Sequence, residues 1–247
     1  MSLGAMQPYL FPYLGYFQLM NCVQTYVFCG NLQYIKRGWV NRNRVYTDFK
    51  KNEIGYFTFS VVKDDYRKNI NQRYYSNLKK DCDKLRNTLF QNYKRAPYFE
   101  EAYCVIDKAL RFENENVAYF NMNACYIIAK YLGITTNITC TDIIEDEAFR
   151  NKFYDLEYEQ RVIFLCDYFG ENYYINAIGG QHIYSYSFFK NHRIELKFLS
   201  TNDIEYRQYN NGFHKNLSII DVLMFNPRET VYQMLQAYSL VENSNRI

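Results

Sequence analysis

The chain has 247 residues, with 29 Lys and Arg against 26 Asp and Glu, 48% hydrophobic residues, and 27 Tyr and 19 Phe beside a single Trp. That apolar and aromatic mass, at a formal net charge of only +3, excludes a disordered chain and suffices for one large domain or two small ones. Ten Gly, four Pro and a pI near 8.3 exclude a turn-rich repeat, a collagen-like rod and a dedicated DNA-binding protein.

Residues 1–35 carry no charged side chain, the first being Lys36. Gln7, Pro8, Pro12, Gln18, Asn21 and Gln24 interrupt this stretch, so it offers no run of about 20 apolar residues to span a bilayer. Neither a basic n-region nor a small-residue cleavage site marks a signal peptide. Met1 to Ala5 reads as an expression-vector remnant, set aside from the fold, with Met6 as the native start. From Met6 the segment MQPYLFP reads as extended, followed by a helix with Pro12 at its first position, where a missing N–H costs nothing. A strand follows over Gln24 to Cys29. Lys36 to Lys51 reads as a basic polar loop, and Ile54 to Val62 alternates enough to join a sheet.

Ile70 to Phe112 reads as helical, with Leu78, Cys82, Leu85 and Leu89 spaced for one buried face and Pro97 breaking the run. Asn116 to Tyr131 is a further helix closed at Gly133, and Ile134 to Thr141 a β-branched strand. The acidic run Asp142 to Glu159 leads into a helix at Tyr158 to Phe169 that ends on Gly170. The clearest local unit is strand Tyr173–Ala177, turn Ile178-Gly179-Gly180, helix Tyr184–Asn191 and strand Ile194–Leu199. These elements predict a layered α/β fold with a largely parallel, Rossmann-like sheet, flanking helices and an inserted helical region over 70–131. No linker, composition shift or repeat divides it, so residues 6–247 read as one domain.

Seven cysteines stand singly without a CxxC pair, and the three histidines stand at no ligand spacing. Reduced thiols in the cytoplasm are expected, and no metal site.

The stretch Lys36-Arg37-Gly38-Trp39-Val40-Asn41-Arg42-Asn43-Arg44 is the most basic patch, and its tryptophan beside forked donors suits a phosphate or carboxylate next to a ring. A solvated loop anchored by its tryptophan accounts for it equally, and no nucleic-acid-binding motif accompanies it. In QPYLFPYLGYF, core packing is the default for Leu10, Phe11, Leu14 and Phe17, while Gln7, Tyr9 and Tyr13 are candidates to face a ligand. Gly179 and Gly180 follow a strand and precede a helix, where ligands meet the carboxyl edge of a parallel sheet, although a plain turn reads the same way. Among Gln208, His214, Ser218 and Asp221, His214 is a candidate general base, and Ser218 with Asp221 equally suits a helix cap. His182 and His192 read as surface or loop histidines.

Together the segments MQPYLFPYLGYFQLM, LQYIKRGWVNRNRV, YKRAPYF, LGIT, YINAIGGQHIY and FHKNLSIIDVLMFN resemble the WbqC-like protein family from Met6 to about Phe225. The resemblance implies a cytoplasmic bacterial protein of surface-polysaccharide (O-antigen) biosynthesis, a glycine or aminoacyl transferase acting on a sugar. Gly30-Asn31 stands where the family pattern carries an acidic pair, which would alter any metal or base function resting on that pair. The glycine loop also departs, reading Asn176-Ala177-Ile178-Gly179-Gly180. The leading expectation is acyl or aminoacyl transfer to an amino sugar, from an activated acyl or nucleotide-linked donor and with no other cofactor. Lys36, Arg42 and Arg44 would hold phosphate, Trp39 and Tyr9 would stack on a ring, and Gln7, Tyr13, Asn41 and Gln208 would orient the ligand. Gly179 and Gly180 would bind an anion, and His214, set by Asp221 or Ser218, would take the amine proton. The alternative is a non-catalytic module that binds a nucleotide sugar or an assembly partner. A nucleotidyltransferase relative is a third reading, but Tyr13-Leu14-Gly15-Tyr16 stands in place of the HxGH phosphate motif.

Overall fold

Alternation of buried apolar residues organises the computed structural model, which describes residues 1–209 and 212–242; positions 243–247 of the expected domain lie outside the described residues. β1 (Ser2–Met6) pairs in parallel with β2 (Thr25–Phe28), Leu3 opposite Thr25 and Met6 opposite Phe28, and on its other side with β6 (Tyr173–Ala177). β5 (Asn137–Cys140) extends the sheet beyond β2, β7 (Glu195–Thr201) extends it beyond β6, and β8 (Tyr238–Val241) adds an antiparallel edge. Residues 1–5, expected to lie outside the fold, are therefore corrected to its middle strand. Leu3 is wholly buried and Ala5 is 6% exposed, while Gly4 lets Val23 pack 3.3 Å from where a Cβ would stand.

Successive residues point to opposite faces. Tyr26, Phe28, Ile175 and Leu199 face one core; Leu3, Ala5, Val27, Cys29, Tyr174, Leu196 and Phe198 face the other. The first core is covered by α1 (Leu14–Cys22), α2 (Leu78–Tyr93), α3 (Phe99–Leu110), α4 (Val117–Leu132), α8 (Ile219–Phe225) and α9 (Arg228–Met234). The second is covered by α5 (Glu147–Phe153), α6 (Tyr158–Phe169) and α7 (Tyr186–Asn191). The layered α/β architecture is the one the sequence predicts. No helix among the described residues is long and apolar enough to cross a membrane.

Local chemistry sets the helix bounds. Asn116 caps α4 by accepting from the Ala118 and Tyr119 N–H groups at 3.0 and 3.3 Å, and Gly133 at φ +78° closes it. α1 starts at Leu14 with Tyr13 as its N-cap, so Pro12 lies before the helix and not at its first position. The helical region from Ile70 resolves into a 3₁₀ turn (Ile70–Gln72), α2 and α3. The expected basic loop contains β3 (Arg42–Asp48), which pairs antiparallel with β4 (Glu53–Thr58) as a hairpin apart from the main sheet. The alternation of β3 is masked in the sequence because one of its inward residues is Asn43, whose Nδ2 donates to the Phe11 carbonyl at 2.8 Å.

The spatial order β5-β2-β1-β6-β7-β8 reverses direction at β1, so the chain leaves β1 and β6 toward opposite sides. A crevice outside their carboxyl ends is the standard ligand position in such a sheet. Because β1 is paired on both edges, removing residues 1–5 should abolish the cooperative urea transition, monitored by far-UV circular dichroism, whereas a dispensable tag would leave it unchanged.

Candidate functional site

The chain leaves β1 through Gln7-Pro8-Tyr9-Leu10-Phe11-Pro12-Tyr13, and its course is fixed by buried side chains from distant segments. Asn121, wholly buried, donates through Nδ2 to the Pro8 carbonyl at 3.0 Å and the Val40 carbonyl at 2.8 Å, and accepts from the Tyr75 hydroxyl at 2.7 Å. Phe11 takes φ +44°, in the left-handed region unfavourable to a bulky residue. Its carbonyl accepts both from Asn43 Nδ2 and from Ser218 Oγ at 2.7 Å. The Ile219 N–H then donates to the Pro12 carbonyl at 2.8 Å, joining this segment to the start of α8.

The segment forms one wall of a cleft of about 470 Å³ at the carboxyl ends of β1, β6 and β7. Tyr9, Tyr13, Trp39, Arg44 and Gly179 line it, five residues that the sequence reading had drawn from three separate segments. Asn43, Ile178, Ser200, Thr201 and Asn216 complete the polar and apolar lining. Burial first, then the neighbouring Tyr13 and Tyr158, pushes the Tyr9 hydroxyl up to about 12, and burial raises that of Tyr13. Both stay neutral at ordinary pH and serve as donors. Among the described residues neither hydroxyl hydrogen-bonds to another protein group. Arg44 donates through Nη2 to the carbonyls of Lys215 and Asn216, each at 3.1 Å, while its buried Nε has no partner among the described residues. Tyr13 forms no side-chain cap on α1; its carbonyl takes the Tyr16 N–H at 3.1 Å, and Gly15 is the residue of that first turn that lines the cleft.

The glycine turn meets the opposite wall differently from expectation. Ile178–Gly180 is a 3₁₀ turn, and α7 begins only at Tyr186 with Ser185 as its N-cap, so no α-helix amino end stands at Gly179-Gly180. A Cβ at Gly179 would meet nothing within 4 Å, whereas one at Gly180 would stand 3.1 Å from Asn176 Oδ1. Asn176 is a hub: its Nδ2 donates to the Tyr174 and Tyr184 hydroxyls at 2.7 and 2.9 Å, and its Oδ1 accepts from the Ala177 N–H at 2.7 Å. Gly180 thus leaves room for the hub, and Gly179 opens onto the cleft.

Lys36, Asn41 and Arg42 do not join Trp39 and Arg44 in the cleft. Arg42 folds back over the preceding turn, donating through Nε to the Gly38 carbonyl at 3.0 Å and through Nη2 to the Arg37 carbonyl. Its guanidinium lies 4.7 Å from the Tyr56 ring centroid and 5.8 Å from that of Trp39. Asn41 is committed internally, accepting from the Tyr34 hydroxyl at 3.0 Å and donating to the Phe59 carbonyl at 2.6 Å. Gln7 contributes its carbonyl to the Tyr16 hydroxyl at 2.7 Å and lies outside the cleft lining.

The arrangement of His214, Asp221 and Ser218 as a proton-transfer set is corrected. Asp221 is wholly buried, and its oxygens accept from the Tyr93 hydroxyl at 2.8 Å, the Tyr206 hydroxyl at 2.7 Å and Gln208 Nε2 at 2.7 Å. Ser218 caps α8, its Oγ accepting from the Ile220 N–H at 3.3 Å while donating to Phe11. His214 Nε2 is buried without a partner among the described residues, and its ring packs on Tyr46 with centroids 5.7 Å apart. Gln208 is likewise spent inside: its Oε1 accepts from the His214 N–H at 2.7 Å, and its Nε2 also reaches the His214 carbonyl at 3.2 Å. Spacing suggested chemistry here because Ser, His and Asp share one short segment. The fold uses them to tie that segment to α8.

Beside Gly30-Asn31 the structure does hold an acid, which sequence reasoning missed because it comes from the turn after β5. A Cβ at Gly30 would collide with Asp142 Oδ2, and Asp142 Oδ1 accepts from Asn71 Nδ2 at 2.9 Å. Burial raises the Asp142 carboxyl above its ordinary value. Asn31 Nδ2, Asn71 Oδ1 and Asp142 Oδ2 are buried without partners among the described residues. No group of three or more His, Cys, Asp or Glu suited to a metal ion occurs among those residues.

A sheet of this order, with a cleft at its switch point built from the segment after β1, defines a layered α/β protein of the doubly wound kind. The WbqC-like protein family model matches residues 7–233, and the chain belongs to that family. It is also similar to a protein titled "Uncharacterized protein Rv1507c" from Mycobacterium tuberculosis (strain ATCC 25618 / H37Rv), 26% identical over 216 residues, 86% of this chain and 88% of that one. No solved structure matches.

Two measurements check these assignments. Replacing Ser218 by Ala removes an N-cap and one bond to the Phe11 carbonyl, and should cost about 1–3 kcal/mol in urea unfolding. Burial pushes the Asp221 carboxyl from 3.8 up to about 6, so its contribution to stability is complete below 3.8 and is lost as pH rises through about 6. Asp221→Asn should remove that component from the stability profile measured between about pH 4 and 7.

Proposed function

We propose that the cleft binds a small molecule bearing both a ring and a phosphate, of the nucleotide-linked sugar kind, and that the protein uses it in acyl or aminoacyl transfer to an amino sugar. The observation that carries this reading is the cleft's lining: the Trp39 ring, two neutral tyrosine hydroxyls that make no hydrogen bond to protein among the described residues, and Arg44. An indole stacks on a ring, a guanidinium suits a phosphate, and hydroxyl donors suit sugar or carbonyl oxygens. Family membership supports the same general direction.

In the transfer, the sugar amine attacks the acyl carbon and a C–N bond forms. The carbonyl oxygen gains charge, then returns it as the bond to the leaving group breaks, and the amine proton departs with that group or to water. Tyr9, a neutral donor, would bond the developing oxyanion, Arg44 would hold phosphate, and Trp39 would fix the ring. Gly179 would let the ligand approach the turn closely.

A second reading, a module that binds such a ligand without reaction, is favoured by one feature. No histidine, carboxylate, lysine or cysteine lines the cleft among the described residues, so no side chain there is suited to take the amine proton.

A thermal-shift screen of nucleotide sugars, coenzyme A derivatives, ATP and amino acids should find a stabilising ligand, and mass spectrometry of donor and acceptor mixtures should detect a new amide. Binding with no amide under any pairing supports the module. Arg44→Met should weaken the ligand found by about tenfold or more, equivalent to about 1.4 kcal/mol. Gly179→Leu should leave the unliganded melting temperature near that of the wild type while blocking binding, because its side chain enters open cleft. Wild-type affinity in both variants would remove the ligand from this cleft.

A further inference from the structure

A second large cavity, of about 770 Å³, lies across the 35–42 loop from the cleft. Five cations, Lys36, Arg37, Arg42, Lys63 and Arg73, line it against the single carboxylate of Asp64. That carboxylate is already paired, its Oδ2 2.6 Å from Lys68 Nζ. The neighbouring Asp65 is likewise engaged with Arg67 at 2.7 Å.

Arg73 is the group that distinguishes this cavity from an ordinary basic surface. It is only 5% exposed. Its N–H donates to the Ile70 carbonyl at 3.1 Å and its carbonyl accepts from the Val117 N–H at 2.9 Å, which fixes it between the 3₁₀ turn and the positive end of α4. The guanidinium lies 5.0 Å from the Tyr34 ring centroid. Its Nε is buried without a partner, and no side-chain hydrogen bond or ion pair is made by Arg73 among the described residues. A buried guanidinium nitrogen with no acceptor is costly, and the aromatic face together with the longer-range attraction of Asp64 and Asp65 offsets only part of that cost. An acceptor bound in the cavity would supply the rest.

We propose that this cavity is a second anion site, in which Arg73 supplies the buried fork and Lys36 and Lys63 the rim charges for a phosphate group of a small phosphorylated molecule. Five cations against one committed carboxylate favour a multiply charged anion over a lone carboxylate, and the planar fork matches phosphate oxygens two at a time. A local depression of about 770 Å³ suits a small molecule better than a nucleic-acid strand, which needs an extended track. The site is independent of the ligand proposed for the cleft.

The test is isothermal titration with inorganic pyrophosphate at fixed ionic strength. The protein carries Arg44→Met, so that binding in the cleft is weakened and the same in every variant compared. That protein should bind pyrophosphate, and adding Arg73→Met should weaken binding by about tenfold or more without lowering the unliganded melting temperature, since the change removes a buried nitrogen that lacks an acceptor. Should Arg73→Met fail to fold, the exposed pair Lys36→Ala and Lys63→Ala on the same background should weaken binding comparably. Equal affinity with and without the Arg73 or lysine changes would overturn the proposal. So would an absence of pyrophosphate binding, or Arg73-dependent binding of an RNA oligonucleotide but not of pyrophosphate.

Discussion

The carbonyl of Phe11 is the point on which the cleft is hung. A phenylalanine at φ +44° costs on the order of 1–2 kcal/mol, and the conformation persists because two buried donors, Asn43 Nδ2 and Ser218 Oγ, converge on that carbonyl. Each such bond contributes on the order of 1 kcal/mol net, and leaving the carbonyl unsatisfied would cost more. The three residues lie far apart in sequence, in the segment after β1, in the β3–β4 hairpin and at the start of α8. One acceptor therefore registers three pieces of structure against each other. Tyr9 and Tyr13 flank the turn, so the bonds that hold Phe11 also aim the two hydroxyls.

Buried polar groups divide into two kinds in this molecule. Asp221 sits in a cage of Tyr93, Tyr206 and Gln208, with its capacity filled and no opening of its own onto a cavity among those found in the described residues. Asn121 and Asn176 are filled in the same way, each fastening a loop whose backbone would otherwise lack partners. Arg73 and the Tyr9 and Tyr13 hydroxyls are the other kind: they line open space, and their side chains make no hydrogen bond to protein among the described residues. A filled network specifies a fold, while unfilled groups at a cavity wall indicate where a ligand would supply the partner.

The order of the main elements was legible because strand alternation and helical spacing are local signals: Gln24 to Cys29, the face of Leu85 and Leu89, and the closing glycines at 133 and 170 all lie where they were read. Tyr9 and Tyr13 were legible as cleft candidates because buried tyrosine hydroxyls need partners, and Gly179 because ligands favour the carboxyl ends of parallel strands. β1 was not legible, since five apolar and small residues without flanking turn signals resemble an appended tag. Nor was β3, where buried Asn43 breaks the apolar pattern and its bond to Phe11 is invisible without the fold. His214 and Asp221 misled for a related reason: chemical type and proximity in sequence do not show that Tyr93, from α2, already occupies the carboxylate. Asp142 was missed because the room beside Gly30 is filled from the turn after β5, more than 100 positions later.

The 35–42 loop gives the two cavities a common wall. Arg37 takes φ +63°, the Gly38 N–H donates to the Ile35 carbonyl at 2.9 Å, and a Cβ at Gly38 would stand 2.9 Å from that same oxygen. Arg42 then braces the turn from the cavity side, while Trp39 presents its ring to the cleft. A loop tied in this way separates two spaces and does not bridge them into one long groove. The loop would therefore keep an anion held at Arg73 apart from a ligand stacked on Trp39, so that each site can be filled, emptied or mutated without the other.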